Sequence, residues 1–295
     1  FFGSIKMLKF NSIEYNKIDF DIYDSSKKLI INWYPMLVCN YRCPYCFMSD
    51  KLLKTKPYEV DLNILDEFKD FKLPINFGIA GGELTLIKNF KELYKKCSDL
   101  KSEKLNFRFI SNGSFCNNSL EIANSGNIEW LLTFHPHSAN INKFIDNIKK
   151  LKDPFTIRVM LIPESRFIKY YDFFKDFENA ENVQFELLFD SYNNFDNKFL
   201  KYLENGLKIK YKIGNKDYTR EELIKNKLNN FKMCKCYRNQ FQFFNKEKIV
   251  KSCSNKIYTL DELKEWDLVK PEICKLNKCS IGSHLEFSKI LFRSI

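Results

Sequence analysis

Apolar runs of strand length alternate with segments of helical period along residues 30–190, and this alternation constrains the fold more than any other feature. The helical segments, at 86–100, 141–151 and 167–177, repeat apolar residues every three or four positions, as one buried helix face does. A repeated strand–helix order requires right-handed crossovers and therefore a parallel sheet or barrel. Six candidate strands, each mostly apolar as doubly buried parallel strands are, cover residues 30–38, 75–80, 105–110, 129–134, 155–162 and 183–189.

The pattern changes near residue 190, and the rest of the chain carries short-range signals instead. Two capping boxes predict the starts of short helices, and two apolar runs around a polar turn predict a hairpin. We therefore expect a domain at 7–195 and a smaller cysteine-rich module at 196–295. The capping boxes pair Thr219 with Glu222 and Thr259 with Glu262, and the hairpin runs are 240–244 and 249–250.

The chain has ten cysteines, most of them in two clusters. A secreted disulfide scaffold is short and carries a signal sequence, and this chain shows neither feature. We therefore expect a cytoplasmic protein whose clustered thiols bind metal. Cys97 and Cys116 stand apart from the clusters, and Cys97 lies on the apolar stripe of a predicted helix, where we expect it in the core.

Charge and composition exclude several classes of protein. The chain has 48 basic and 37 acidic residues, a formal net charge of +11, but the basic residues are scattered amid abundant Asn, Ile and Phe. We interpret the charge as compositional bias and expect no nucleic-acid partner. A hydrophobic content of 44% excludes a disordered chain, and the lack of an apolar stretch of about 20 residues predicts no membrane partner.

The first cysteine cluster lies directly after the first candidate strand. Cys39, Cys43 and Cys46 have the spacing C-x3-C-x2-C. Three thiolates so close together can cap three corners of an iron–sulfur cubane and leave the fourth iron without a protein ligand. A structural zinc site needs a fourth ligand nearby, and the nearest histidine is His135. The loop therefore predicts a [4Fe-4S] cluster with an open iron site.

These cysteines resemble the signature of the radical SAM superfamily, in which an aromatic residue, here Tyr45, precedes the last cysteine. Gly81, Gly82 and Glu83, after the second candidate strand, resemble the motif with which the family binds the methionine ammonium of S-adenosylmethionine (SAM). The glycines would let backbone carbonyls approach the ammonium, and Glu83 would add a charge-assisted bond. The resemblance implies an α/β fold, a partial (β/α)6 TIM-like barrel with a small C-terminal auxiliary-cluster module.

Other strand ends match the same family less specifically. Ser111 and Asn112 open a segment similar to the one that lies near the ribose and methionine carboxylate of SAM. Arg158, within the fifth candidate strand, could pair with the SAM carboxylate or assist catalysis, because a buried Arg needs a partner. The alternatives are a plain turn for Ser111 and Asn112, and an Arg that faces a helix end or solvent.

Two further side chains are catalytic candidates. His135 resembles the first histidine of an F-H-P segment in several branches of the family, which implies substrate binding or proton transfer. Cys116 could face the pocket as a hydrogen-atom donor, and Glu164 is a candidate with weaker support. The alternatives are a loop histidine with its bonds satisfied and an ordinary buried cysteine.

The second cysteine cluster resembles the shortened auxiliary-cluster domain called twitch, related to the longer SPASM domain. The resemblance implies a second, auxiliary [4Fe-4S] cluster, although the usual glycine before the second cysteine is absent. Four thiolates could also hold a structural zinc ion. Cys234 and Cys236 remain alternatives for one ligand position. The predicted ligands are Cys236, Cys253, Cys274 and Cys279.

The radical SAM resemblance implies reductive cleavage of SAM to a 5′-deoxyadenosyl radical, which abstracts hydrogen from the substrate. A flavodoxin or ferredoxin would supply the electron. Peptide-modifying members commonly carry an N-terminal recognition domain, and the 38 residues before Cys39 are too few for one. We therefore expect a small-molecule substrate, such as a sugar, nucleotide or amino-acid metabolite, in a net oxidation or rearrangement. Peptide modification, RNA modification and a non-catalytic metal-binding role are the alternatives.

Overall fold

Six parallel strands in chain order form the centre of the fold. The computed structural model describes residues 28–46, 56–161, 168–174, 177, 182–187, 211–213, 216–218, 235–236, 240–251, 256–266 and 272–273. Each central strand pairs in parallel with the next one along the chain, as a barrel of repeated strand–helix units requires. These strands are β1 (Leu29–Met36), β2 (Ile75–Gly81), β3 (Leu105–Ser111), β4 (Glu129–Phe134), β5 (Phe155–Leu161) and β6 (Asn182–Leu187). They confirm the predicted parallel α/β sheet.

The helices between the strands pack on one face of this sheet. Right-handed crossovers between strands in sequential order place every connection on the same side. Tyr94 stacks on Trp130 of β4 with ring centroids 6.1 Å apart, and Phe144 meets Phe134 at 5.2 Å. The helices are α1 (Phe90–Leu100), α2 (Asn117–Ala123), α3 (Ile141–Ile148) and α4 (Ile168–Phe174), with 3-10 turns at Asn63–Phe68 and Leu84–Leu86.

The opposite face of the sheet is polar over the first strands, which corrects the expectation of doubly buried strands. Residues alternate between buried and partly exposed along β1 and β3, whereas β4 is buried on both faces after its first residue. Because successive side chains of a strand point to opposite faces, the exposed positions share one surface. We call this surface the polar face. It comprises Asn32, Asn76, Asn106, Arg108, Glu129, Gln240 and Gln242, with the apolar residues Ile30 and Ile110 among them.

The C-terminal hairpin joins the same sheet. β10 pairs in parallel with β1, so that Asn32 lies beside Gln242, and β11 and β12 continue the sheet in antiparallel order. The predicted hairpin is therefore confirmed, but its strands do not form a separate sheet, and the boundary at 195 stays a prediction. The C-terminal elements are β7 (Tyr211–Ile213), β8 (Lys216–Tyr218), β9 (Lys235–Cys236), β10 (Gln240–Asn245), β11 (Lys248–Lys251), β12 (Ile257–Tyr258), α5 (Leu260–Lys264) and β13 (Glu272–Ile273).

Aromatic packing and ion pairs attach this hairpin to the 3-10 turn before β2. The ring of Phe243 lies 5.3 Å from that of Phe68, which also packs on Phe77 of β2 at 4.7 Å. The carboxylate of Glu67 accepts from Lys246 at 2.7 Å and from Lys264 at 2.6 Å. The C-terminal segment therefore completes the core of the first domain.

The sequence correctly predicted a helix start where a side-chain cap forms. The Thr259 capping box is present, because the Glu262 amide donates to the Thr259 hydroxyl and the Thr259 amide donates to the Glu262 carboxylate. The predicted helix at 86–100 begins at Phe90 because residues Leu84–Leu86 form a 3-10 turn. The Thr219 box lies outside the described residues. Among the described helices, none is long and apolar enough to cross a membrane.

Candidate functional site

The cysteine loop follows β1 at its carboxyl end. The amide of Cys46 donates to the Cys43 carbonyl at 3.0 Å, which closes a tight turn between the last two cysteines. The Cys43 side chain is buried, and those of Cys39 and Cys46 are partly exposed. The carboxyl ends of parallel strands are where ligands of such sheets bind.

The end of β2 lies against the segment that leads into this loop. The Gly82 amide donates to the Met36 carbonyl at 3.0 Å, and the Glu83 amide donates to the Val38 carbonyl at 2.7 Å. A Cβ atom at Gly82 would overlap the Val38 carbonyl oxygen, and Gly81 has φ +138°. Both positions therefore require glycine for backbone approach within the protein. Their predicted contact with the SAM ammonium stays a prediction.

The carboxylate of Glu83 joins the ends of β2 and β3. It is fully buried and accepts from the Ser111 hydroxyl at 2.8 Å, the Asn112 amide at 2.8 Å and the Thr85 hydroxyl at 2.9 Å. Burial raises the pKa of Glu83, and these hydrogen bonds oppose the rise by stabilising the charged form. Glu83 thus holds the segment that carries Ser111 and Asn112, and its predicted bond to the SAM ammonium stays a prediction.

The side chain of Asn112 connects β3 to the cysteine loop. Its amide nitrogen donates to the Asn40 side-chain oxygen at 2.9 Å and lies 3.8 Å from the Cys39 sulfur. Asn40 in turn donates to the Ser114 hydroxyl at 2.8 Å. Asn112, predicted to contact SAM, therefore also positions the first cysteine.

A buried asparagine on α3 supports this connection, and the sequence interpretation missed it. Asn147 donates to the carbonyls of Gly113 at 2.8 Å and Phe115 at 3.2 Å. Gly113 has φ +73°, and a Cβ atom there would come within 2.6 Å of the Phe144 ring. The sequence did contain a signal for this contact: Asn147 is a polar residue three positions after Phe144, on the apolar stripe of a predicted helix.

His135 lies at the end of β4 beside Tyr45. Its Nδ1 atom is 3.0 Å from the Tyr45 hydroxyl, and the two rings stack with centroids 5.9 Å apart. The ring of Tyr41 meets the His135 ring edge-on at 6.3 Å. Burial, with a smaller contribution from the charge of Arg158, lowers the pKa of His135 to about 4. His135 is therefore neutral at physiological pH.

The turn after β4 also reaches the second cysteine. The amide of Ser138 donates to the His135 carbonyl at 3.0 Å, and the Ser138 hydroxyl lies 3.5 Å from the Cys43 sulfur. Burial raises the pKa of Cys43, and hydrogen bonds from Ser138 and Tyr45 oppose this rise. The sequence interpretation did not include Ser138, because a serine after a strand has no local signature of such a contact.

Two other predicted site residues lie apart from the cysteine loop in sequence. Arg158 is half-buried on β5 beside Thr133 of β4, and its charge acts on His135. Cys116 precedes α2 with an exposed side chain, and its thiol lies 3.4 Å from the Ser119 hydroxyl. The catalytic roles of Arg158 and Cys116 stay predictions.

The donor set of the loop fits a cubane with three protein ligands. Its three thiols lie on one short loop, and the Tyr41 amide donates to the Cys39 sulfur at 3.4 Å. Burial raises the pKa of Cys39 to about 11, so cluster binding must release protons. Within the described residues, no three His, Cys, Asp or Glu side chains surround a single ion position. A cubane takes each thiolate on a different iron and does not need that arrangement.

The second cysteine cluster lies mostly outside the described residues. Cys236 is in β9, where its backbone pairs with Glu272 of β13, two residues before Cys274 in the sequence. β11 ends two residues before Cys253. The positions of Cys253, Cys274 and Cys279 and the ligand role of Cys236 stay predictions.

Solved structures of SuiB from Streptococcus suis are similar to this chain. SuiB bound to S-adenosylmethionine superposes with a TM-score of 0.56 at 15% sequence identity, over 83% of this chain and 67% of that chain. SuiB bound to precursor peptide SuiA gives a TM-score of 0.56 at 14% identity, over 90% of this chain and 72% of that chain. The chain has the fold of SuiB.

A structure of anSMEcpe with bound AdoMet and a Cp18Cys peptide also matches, with a TM-score of 0.49 at 18% identity, over 81% of this chain and 79% of that chain. The sequence matches no family model and no curated protein. The likeness to SuiB concerns the fold, because identity this low does not transfer function.

Proposed function

We propose that this protein is a radical SAM enzyme. The observation that carries the proposal is the cysteine loop at the carboxyl end of β1, which is hydrogen-bonded to the ends of the next three strands. For β2 the contact is the Glu83 amide, which donates to the Val38 carbonyl directly before Cys39. Asn112 makes the contact for β3 at Cys39, and Ser138 makes the one for β4 at Cys43. The same fold holds S-adenosylmethionine in SuiB.

In this proposal Cys39, Cys43 and Cys46 hold a [4Fe-4S] cluster, and SAM binds at its open iron. When bound, the pair supplies a 5′-deoxyadenosyl radical after one-electron reduction. The carbonyls around Gly81 and Gly82 would accept from the SAM ammonium, as the resemblance implies, and Ser111, Asn112 and Arg158 would bind the ribose and carboxylate. Tyr45 packs within the loop beside His135, and thereby helps to exclude water from the cluster side.

The proposed substrate is a small polar metabolite such as a sugar, nucleotide or amino acid. The polar face supports this choice, because a parallel sheet normally covers both faces with apolar side chains. Asn32 and Gln242 lie side by side in the middle of that face. Their side-chain amides can donate to and accept from the hydroxyl, amine or carboxylate groups of a polar substrate. Arg108 and Glu129 pair with each other at the amino end of β4, away from the cysteine loop.

A peptide substrate is the second candidate, favoured by one observation. The SuiB structure with precursor peptide SuiA bound matches over 90% of this chain. Transfer of deuterium from the substrate to 5′-deoxyadenosine distinguishes a metabolite substrate from a peptide substrate. The enzyme is incubated with a dialysable or a macromolecular fraction of cells grown in heavy water, and deuterium in 5′-deoxyadenosine is measured. Label from the dialysable fraction supports a metabolite, and label from the retained fraction alone supports a peptide.

The C-terminal cysteines complete the proposal with a second cluster. Cys236, Cys253, Cys274 and Cys279 would hold an auxiliary [4Fe-4S] cluster, with zinc as the alternative, and a flavodoxin or ferredoxin in the cytoplasm would supply electrons. Support comes from the hairpin and α5, which precede the last two of these cysteines as in the twitch pattern.

Anaerobic reconstitution tests the proposal. We expect about eight irons per chain with two clusters, and 5′-deoxyadenosine from SAM under reducing conditions. Cys43→Ala should lose about four irons and all SAM cleavage. Cys116→Ser, a change at an exposed thiol, is the matched control and should keep its iron content. SAM cleavage that survives replacement of Cys39, Cys43 and Cys46 together would refute the proposal.

A further inference from the structure

The turn after β4, residues 135–138, contacts Cys43 by two routes. The Ser138 hydroxyl reaches the Cys43 sulfur directly, at 3.5 Å. The second route passes through Tyr45, whose hydroxyl hydrogen-bonds Cys43 and also lies 3.0 Å from Nδ1 of His135. Two hydroxyl groups thus lie at the Cys43 sulfur, Ser138 from the turn after β4 and Tyr45 from the cysteine loop, where His135 of that turn contacts it.

Iron binding fixes the direction of these hydrogen bonds. A thiolate bound to iron has no proton and can only accept, so both hydroxyls must donate to the Cys43 sulfur. The Tyr45 hydroxyl has then used its proton, and its oxygen can accept from His135. Neutral His135 would carry its proton on Nδ1, which gives a chain of donors from His135 through Tyr45 to Cys43.

We propose that Ser138 and Tyr45 raise the reduction potential of the cluster by hydrogen bonds to the Cys43 sulfur, with His135 as a positioning residue for Tyr45. This inference rests on the proposed function. Hydrogen bonds to cluster sulfurs are one of the factors that set the potential. Reduction adds negative charge to the sulfurs, and donors stabilise the more negative state, so their removal makes the cluster harder to reduce.

Separate contacts hold Ser138 and Tyr45 in place. Ser138 is held in place by its own amide, which donates to the His135 carbonyl, and the neighbouring Ala139 amide donates to the same carbonyl at 2.8 Å. Tyr45 is held by stacking on His135 and by contact with the His137 ring at 6.0 Å. These contacts hold both hydroxyls beside the sulfur.

An EPR-monitored redox titration of the reconstituted protein tests the proposal. The relevant cluster is the one whose spectrum changes when SAM is added. We expect Ser138→Ala and Tyr45→Phe each to shift its midpoint potential to more negative values. In the double variant the ratio of reduced to oxidised cluster at the wild-type midpoint should fall about tenfold, a shift of about 59 mV for one electron.

Matched variants separate the hydrogen bonds from general damage. Ser138→Thr keeps the hydroxyl and should keep the wild-type potential. Ser125→Ala removes a hydroxyl that donates to the Ile122 carbonyl instead, and should cause no shift. His135→Ala should shift the potential in wild type but add nothing in the Tyr45→Phe background, because His135 acts through Tyr45. His135→Asn, with an amide near the Nδ1 position, should restore most of the wild-type potential.

A failure of this inference can be distinguished from a failure of the proposed function. If Ser138→Ala and Tyr45→Phe assemble a full cluster with an unchanged midpoint potential, this inference is wrong and the proposed function stands. If the wild-type chain assembles no cluster on Cys39, Cys43 and Cys46, the proposed function itself fails. If Tyr45→Phe loses its cluster, the comparison of the midpoint potentials of Ser138→Ala and Ser138→Thr tests this inference by itself.

Discussion

Two glycines determine how closely the second strand approaches the cysteine loop. The Gly82 amide bonds to Met36, and a side chain at Gly82 would overlap the backbone of Val38. A backbone carbonyl cannot move aside without displacing the strand that carries it. The Gly–Gly pair is therefore needed for the fold of this edge, independently of any ligand.

Gly82→Ala should destabilise the protein by about 3 kcal/mol or more, because the overlap involves backbone on both sides. Gly78→Ala, four residues earlier in β2, is the matched control. There the added Cβ atom would meet the side-chain oxygen of Asn32, which can rotate, and we expect a cost of about 1 kcal/mol. Urea unfolding followed by circular dichroism measures the free energy of unfolding of both variants. An equal decrease in the two variants would contradict the prediction.

His135 makes stability depend on pH. The pKa of a histidine in an unfolded chain is about 6.5, and burial together with the charge of Arg158 lowers that of His135 to about 4. The folded state binds the proton more weakly, so the stability due to neutral His135 is present above about pH 6.5 and is lost as pH falls toward 4. Between about pH 7.5 and 5 the loss should be about 2 kcal/mol.

The control for this prediction is His135→Asn, which cannot titrate in the same range. Its free energy of unfolding should change less than that of wild type between the two pH values. Urea midpoints at each pH measure the difference. Equal pH dependence in both proteins would mean that the partly buried His135 ring does not have the lowered pKa.

At the scale of elements, the 3-10 turn Asn63–Phe68 anchors the C-terminal hairpin and α5 to the rest of the fold. Glu67 bonds both Lys246 and Lys264, and these hydrogen bonds lower the pKa of Glu67 to about 2. The ion pairs are therefore fully present above the ordinary pKa of glutamate, and they are lost only as pH falls from there to about 2.

Glu67→Gln should loosen this attachment at neutral pH and have little effect on overall unfolding, because partly exposed ion pairs contribute modestly. Hydrogen exchange of the β10 and β11 amides measures the loosening, as faster exchange in the variant than in wild type. Glu92→Gln, in the first turn of α1, is the control. Unchanged exchange in β10 and β11 would show that the aromatic contacts hold the hairpin without the ion pairs.

Periodicity and caps predicted most elements correctly, and failures have physical reasons. The six strands were found because each has several apolar residues over the length of a strand, whereas α2 was missed because its sequence, NNSLEIA, is short and largely polar. The contacts of Asn40, Ser138 and Asn147 could not be predicted from the sequence, because an amide or hydroxyl gains its partner only when separate strands and helices come together. The cysteine loop and the Gly–Gly–Glu turn were found because their chemistry is local.

At the scale of the whole molecule, the described sheet runs without a break from the C-terminal hairpin to β6. Phe243 of β10 is fully buried between elements from both ends of the chain, against Trp33 at 6.3 Å and Phe68 at 5.3 Å. The hairpin and the parallel strands therefore share one hydrophobic core.

Phe243→Ala should lower the stability of the parallel strands as well as of the hairpin, by about 3–5 kcal/mol. Tryptophan fluorescence, which includes Trp130 in the distant β4, and far-UV circular dichroism should report one shared transition at lower denaturant. Phe173→Ala, at a 45% exposed position, is the control and should change little. A Trp130 signal that unfolds at the wild-type midpoint would show that the hairpin is an independent unit.

The pairing of Ile30 with Gln240 has a consequence for biosynthesis. More than two hundred residues must leave the ribosome before the first strand of the barrel meets its outer neighbour. Until then β1 presents an uncovered edge, and its final contacts are among the most distant along the chain, which slows folding. The nascent chain therefore exposes this strand edge for the whole interval between the synthesis of β1 and that of β10.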